Sequence, residues 1–256
     1  MFDPNTLQKY KVVTVPISTG SFDEHIAEFL RFGKAHISSY SCMVNVHMTV
    51  EASKDKAFKR VVENADLATA DGMPVLRSLQ VFHRLDQERV AGNDIMPAVM
   101  KAAEKEGLSV YFYGGSDENL QKIQSKAHLE YPDLIIAGAY SPPYRAISEE
   151  EENEIAEKIN VSGAHIVLVS LGCPKQEKWM ARMKGKINAM MLGVGGAFLL
   201  YIGVDQRAPK WMRDLSLEWT YRLFLEPKRL WKRYMVTNTT YIFLFFKTWM
   251  SGSYKV

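Results

Sequence analysis

The chain has 256 residues, 47% of them hydrophobic and 24% charged, which fits one large folded domain or a domain with an appendage and excludes a disordered or fibrous chain. Its formal net charge of +3 is too mild by itself to imply a nucleic-acid partner. Two cysteines, Cys42 and Cys173, fit a reducing compartment better than a disulfide framework, and no Cys/His cluster has zinc spacing.

The first segment, "MFDPNTLQKYKVVTVPI", has an early acid, a proline and no long apolar core, so it does not read as a signal peptide. From there, short apolar runs predict strands: "KVVTVPI", "CMVNV", "ADLAT", "SVYFYG", "DLIIAGAY", "HIVLVSLG" and "NAMMLGVG". Between them, "DIMPAVMKAAEKEG" and "SEEEENEIAEKINVSG" predict helices, with acids early and a glycine following. This alternation predicts an α/β fold with a mainly parallel, Rossmann-like sheet and flanking helices. The boundary expected from composition puts a catalytic domain at 1–206 and a basic, aromatic appendage at 207–256. The appendage holds ten Lys/Arg and three Asp/Glu, a balance of +7, which leaves −4 for the body. Its most apolar stretch, "TTYIFLFFKTWM", is interrupted by Lys247 and falls short of the ~20 residues a membrane span needs. A cytoplasmic protein with surface attachment to an anionic membrane is expected.

In open α/β sheets, ligands bind beyond the C-terminal ends of the strands. Asn45, Asp71, Gly114–Gly115, Gly172 and Gly195–Gly196 all fall there. In "VYFYGGSDENLQKI" the glycines admit a close ligand phosphate, and the amides of the following helix can hold it. The structural alternative is a plain turn with Ser116 or Asp117 as helix cap. "LVSLGCPKQEKWM" repeats the pattern, with Gly172, Pro174 for a first helical turn, then Gln176 and Glu177. Gln176 suits a base or sugar hydroxyl, and Glu177 also suits the helix dipole. Strand alternation in "MVNVHMTVEA" puts Asn45 and His47 on one face. Cys173 reads as a small buried residue. No GxGxxG or P-loop occurs, which speaks against a nicotinamide-dependent oxidoreductase. No Asp-x-Asp occurs either, so charge on a leaving diphosphate would fall to Arg, Lys and amide groups.

The ordered set "VNVHM", "ADLATADGMPV", "RVAGNDIMPAV", "YFYGGSDENL", "VSLGCPKQEKWM", "MLGVGGAF" and "RAPKWMRDLSLEWTYRLFLEPKRLWKRY" resembles the WecG/TagA/CpsF family of bacterial glycosyltransferases over about residues 12–234. The resemblance implies inverting transfer from a UDP-sugar to a polyprenyl-diphosphate-linked saccharide at the inner face of the cytoplasmic membrane. It implies metal independence and no cofactor. It assigns Asp71 as general base, with Arg222 and Arg229 of the tail completing the catalytic set. Asn45, Arg89 and Gln176 match family motif positions. Together with them, His47, Asn93, Asp94, Gly114, Gly115, Ser116, Gly172, Pro174, Glu177, Gly195, Gly196, Lys232 and Arg233 form the expected substrate-binding set. Two departures stand out: Met43 replaces the family's threonine before Asn45, and Leu199 follows "GGAF" where many members carry an acid. The "NVH" variant is closer to capsule and exopolysaccharide members than to wall teichoic acid enzymes. The non-enzymatic alternative is a peripheral nucleotide-binding scaffold of a polysaccharide assembly complex, distinguished by UDP binding without turnover.

Overall fold

The computed structural model describes residues 7–209, 211–212 and 217–254. A six-stranded, wholly parallel sheet runs in the order β4-β3-β8-β7-β5-β6. Its strands are β3 (Ser39–Val44), β4 (Leu67–Ala70), β5 (Ser109–Gly114), β6 (Ile135–Tyr140), β7 (Ile166–Ser170) and β8 (Met190–Gly193). The four central strands are buried on both faces, so they read as continuous apolar runs rather than alternating ones.

The expected first strand is instead a hairpin, β1 (Lys9–Val12) and β2 (Val15–Ser18), paired antiparallel. Val13 turns the chain at φ +54°, a conformation its sequence does not advertise. The hairpin lies against edge strand β4, and the Ala68 N–H donates to Ser18 Oγ at 3.0 Å. That contact blunts an otherwise open sheet edge.

Helices cover both faces. On one lie α2 (Val46–Lys54), α3 (Lys56–Glu63), α7 (Glu149–Val161) and α8 (Lys175–Met183). On the other lie α1 (Phe22–Lys34), α5 (Gly92–Glu106), α6 (Asp117–Glu130) and α9 (Ala197–Tyr201). Local chemistry sets the ends. Ser21 with Glu24 and Ser148 with Glu151 form capping boxes on α1 and α7, and Asp55 caps α3. Each such cap contributes about 0.5–2 kcal/mol. Gly107 ends α5 in the left-handed region, as its sequence predicts.

Helix α4 (Met73–His83) follows β4 and packs toward the hairpin. The C-terminal helices are α10 (Glu218–Leu225) and α11 (Pro227–Ser251). One side of α11 is docked on the body. Tyr241 is buried, and its hydroxyl meets Ser78 Oγ at 2.7 Å and donates to Pro74 O at 3.1 Å, both on α4. Phe245 and Tyr254 both stack on Phe82, with ring centroids 4.9 and 4.8 Å away. The opposite side exposes Trp231, Met235, Ile242, Phe246 and Trp249. No helix among the described residues is long and apolar enough to cross a membrane.

Candidate active site

Strand order determines where a ligand fits. After β5 the chain leaves to one face through α6, and after β7 it leaves to the other through α8. Because β5 and β7 are neighbours, the connections that follow their paired C-terminal ends part to opposite faces and leave a crevice between them. A cleft of about 760 Å³ opens there. Its walls are Gly115, Ser116 and Asn119 after β5, Gly172 and Lys175 after β7, Gly195, Gly196 and Leu199 after β8, and the segment 142–147. That size suits a ligand of nucleotide dimensions.

The floor is aromatic. Tyr113 and Trp179 stack with centroids 4.0 Å apart and planes 13° apart. Tyr113 Oη and Trp179 Nε1 are buried and have no hydrogen-bond partner among the described residues. Buried polar groups are seldom left unpaired, so an enclosed water beneath the cleft is the expected partner of each. Four cations line the walls, and three are already balanced: Arg145 by Glu151 at 2.6 Å, Lys178 by Asp55 at 2.9 Å and Arg182 by Glu152 at 2.6 Å. Lys175 makes no ion pair among the described residues and is the cation available to an anion.

Two helix N-termini face the cleft, and their chemistry differs. Ser116 caps α6 by accepting from the Asn119 N–H at 3.3 Å, as the structural alternative held. Asp117 and Glu118 occupy the first turn of α6 and offset its positive end. Helix α8 starts with Pro174 at its cap position and Lys175 next, a better seat for a diphosphate. Gly114 lets β5 approach β7: it sits at φ +112°, and a Cβ there would overlap the Ser170 carbonyl oxygen. The β8 turn is braced by Ser170, whose hydroxyl donates to Gly195 O at 2.7 Å.

Gln176 and Glu177 lie beneath this turn, not on the cleft surface. Gln176 is 4% exposed and Glu177 is fully buried. One amide nitrogen of Gln176 donates both to Glu177 Oε1 at 2.7 Å and to Gly193 O at 3.0 Å. Burial pushes Glu177 up to about 7, against hydrogen bonds from Gln176 and Cys173 that favour its ionised form. The Glu177 carboxyl thus faces the core, where it holds Gln176. Burial likewise raises the Cys173 thiol well above its ordinary range, consistent with a non-nucleophilic residue.

The other half of the expected site lies at the β3 and β4 ends. Asp71 follows β4 directly, its N–H bonded to Val44 O at 2.9 Å. The cap position of α4 is Gly72, which has no side chain to serve it, so Asp71 is not the helix cap that its local sequence permits. The pairing of Asn45 and His47 on one strand face does not occur. β3 ends at Val44, and Asn45 caps α2 by accepting from the Met48 N–H at 3.1 Å. His47 stands in the first turn of α2. The Asn45 oxygen thus spends one of its two lone pairs on the cap, and the other and the NH₂ group remain for a ligand.

Arg89 stands beside Asp71, since the next residue, Val90, donates its N–H to Ala70 O at 3.0 Å. It pairs with Asp94 at 3.1 Å and with Glu218 at 3.3 Å. Asp94 in turn meets Arg207 at 2.6 Å. Burial opposes the charge on Arg89, but Asp94, Glu218 and the nearby Asp71 outweigh it and raise its affinity for the proton. For Asp94, burial is likewise outweighed by Arg207 and Arg89, which hold its carboxyl below the ordinary range. Asn93 lies next to Asp94 in the first turn of α5.

The expected residues thus form two groups on one rim. Asp71 is two strand positions from the β8 turn, about 10 Å, and four from Gly115, roughly 19 Å. The β8 glycines bridge the groups. Arg222 lies in α10, and Arg229, Lys232 and Arg233 in α11. Lys232 is exposed, while the side chains of the three arginines lie outside the described residues. Sequence reasoning missed Lys175, Ser170 and the Tyr113–Trp179 floor. Lys175 lies within "VSLGCPKQEKWM", where one lysine among several carries no signal of its own. The floor had no local signal, because Tyr113 and Trp179 meet only through β5 and α8.

A sequence model of the glycosyl transferase WecG/TagA/CpsF family matches residues 10–255. The chain is also 30% identical, over 217 residues and 82% of each protein, to the N-acetylglucosaminyldiphosphoundecaprenol N-acetyl-beta-D-mannosaminyltransferase of Bacillus subtilis (strain 168).

Proposed function

The chain belongs to the WecG/TagA/CpsF family and is a glycosyltransferase, and from that premise we propose that it moves an N-acetylhexosamine from a UDP-sugar to a polyprenyl-diphosphate-linked saccharide, in bacterial surface polysaccharide synthesis of the capsule or exopolysaccharide kind. The observation that carries this reading is the cleft at the β5/β7 switch point, with a lysine that has no ion pair among the described residues, a helix N-terminus and glycine turns on one rim with Asp71. The name of the Bacillus subtilis relative makes N-acetylmannosamine on a diphosphate-linked N-acetylglucosamine the first pair to test.

The nucleotide occupies the cleft over Tyr113 and Trp179, and its diphosphate lies against Lys175 and the start of α8. The sugar then points along the β8 turn toward Asp71. A sugar hydroxyl is a poor nucleophile at neutral pH. Asp71 takes its proton as the new C–O bond forms, and attack opposite the departing UDP inverts the anomeric carbon. Negative charge grows on UDP, where Lys175, backbone amides and the tail arginines Arg222 and Arg229 stabilise it; removing one such contact costs ~2–4 kcal/mol of transition-state stabilisation. No metal is required in this scheme, and EDTA is expected to leave turnover unchanged. The apolar outer side of α11 and its lysines seat the protein on the inner face of the membrane, where the lipid-linked acceptor resides.

The test is Asp71→Asn, assayed with UDP-N-acetylmannosamine and a short-chain polyprenyl-diphospho-N-acetylglucosamine by mass spectrometry. Transfer is expected to disappear while calorimetric UDP binding persists. Near wild-type turnover by the variant removes Asp71 from the base role.

A further inference from the structure

Four charged groups alternate in sign along a single chain of contacts: Glu218, Arg89, Asp94 and Arg207. The two inner members belong to the body, Arg89 on the segment leading into α5 and Asp94 in its first turn. The two outer members belong to the C-terminal part of the chain and flank residues 208–217. All four are at most about a third exposed, Arg89 least at 18%. They also sit at the Asp71 end of the sheet, because Val90 is hydrogen-bonded to Ala70.

We propose that Glu218 and Arg207 are positioning residues, a two-point ionic clasp that seats α10 over the Asp71 end of the site through Arg89 and Asp94. Glu218 precedes Arg222 by four residues, one helical turn along the same face. Fixing Glu218 on Arg89 therefore fixes where the backbone of Arg222 stands relative to Asp71. The docking of Tyr241 on Ser78 and Pro74 holds α11, and α10 meets α11 through the edge-to-face rings of Trp219 and Tyr234; the clasp adds the tie from α10 to the Asp71 end of the body. Both terminal nitrogens of Arg89 are engaged, so its part here is to anchor the tail. This inference rests on the proposed function, in which Asp71 is the base and Arg222 stabilises the departing UDP.

The experiment compares full-length wild type with Glu218→Gln, Glu218→Asp and Arg207→Gln. Hydrogen–deuterium exchange reads the clasp directly, without turnover. Exchange in α10 is expected to quicken in Glu218→Gln and Arg207→Gln, and to return toward wild type in Glu218→Asp, which keeps the carboxylate. With UDP-N-acetylmannosamine and the short-chain acceptor, kcat/KM is expected to fall roughly tenfold, mostly through kcat, with UDP affinity unchanged. Added salt is expected to weaken wild-type activity and to affect Glu218→Gln less, since the screened pair is already gone. Unchanged α10 exchange in both neutral variants overturns the clasp. So does a loss of UDP affinity that matches the loss of kcat/KM, which would put Glu218 in the donor site. If the wild type shows no transfer but the variants still loosen α10, the substrate reading fails and the clasp stands.

Discussion

Gly114→Ala tests whether the close approach of β5 to β7 shapes the cleft. The residue sits at φ +112°, and placing an L side chain in the left-handed half of backbone space costs about 1–2 kcal/mol. The new Cβ would also overlap the Ser170 carbonyl oxygen. That oxygen belongs to the backbone of a paired strand and cannot rotate aside, so overpacking adds about 1–3 kcal/mol. The sum, about 2–5 kcal/mol, lowers the melting temperature by roughly 5–15 °C in a chain of this size. Relief comes from separating the ends of β5 and β7, which moves Gly115, Ser116 and Gly172, and UDP affinity should fall at least about tenfold. Gly107→Ala is the control. It also has a positive φ, +66°, but nothing lies within 4 Å of its Cβ. It should lose only the conformational part and leave UDP binding alone. Urea denaturation and calorimetric UDP titration of both variants decide the matter. Equal destabilisation of the two, with UDP binding intact in each, would refute the overlap argument.

Glu177→Gln should reveal the buried carboxyl through pH. Folding raises this acid from its ordinary 4.5 to about 7, so the folded state holds the proton more tightly. Its contribution to stability is therefore greatest below about 4.5 and is lost as pH rises toward 7, by at most about 3 kcal/mol. The variant lacks this slope and should gain on wild type between pH 5 and pH 8 in urea melts; a constant gap between the two proteins would contradict the assignment. Tyr241→Phe removes a hydroxyl that meets Ser78 and Pro74, and should cost about 1–2 kcal/mol in the same melts. No loss would mean that α11 is held by ring stacking alone. Phe246→Glu, on the outer side of α11, forfeits about 1.5–3 kcal/mol of apolar burial on a bilayer. Sedimentation with anionic phosphatidylglycerol vesicles should drop sharply while UDP binding holds, and undiminished sedimentation would exclude this side as the membrane face.

Where pattern and local chemistry agree, the sequence was legible. β5 runs over Ser109–Gly114 as the run "SVYFYG" predicts, and α7 begins at the Ser148 cap and ends before Gly163. It failed where one local signal serves two structures. "KVVTVPI" has no Gly, Pro or Asn at the bend, so its hairpin was hidden. "CMVNV" continues apolar past Val44, although the cap chemistry of Asn45 ends the strand. Glu177 early on a helix looks alike whether it faces water or core. Strand-end glycines located the rim, but not the distances along it. Those follow from the strand order, which puts β8 and β7 between β3 and β5. The pairing of Arg89 with Glu218 joins residues 129 positions apart, and no periodicity carries that information.

The tail shows why composition was informative and incomplete together. A basic, aromatic segment pointed to a membrane surface, and one side of α11 fits: Trp231, Met235, Ile242, Phe246 and Trp249 recur at helical spacing and are exposed, with Lys228, Lys232 and Lys247 also outward. Yet Leu230, Thr237, Tyr241 and Thr248 recur at the same spacing on the opposite side and are buried against the body. A helix with apolar side chains on two sides needs an apolar neighbour for each. Here one neighbour is the protein itself. Docking is therefore not created by the membrane. The α11–α4 contact is already made, so truncation before Arg207 would strip Phe82 and Ser78 of their cover as well as removing the tail arginines. The loss of activity such a truncation causes would then mix a destabilised body with an incomplete site, whereas Glu218→Gln and Phe246→Glu perturb the seating of α10 and the membrane face one at a time.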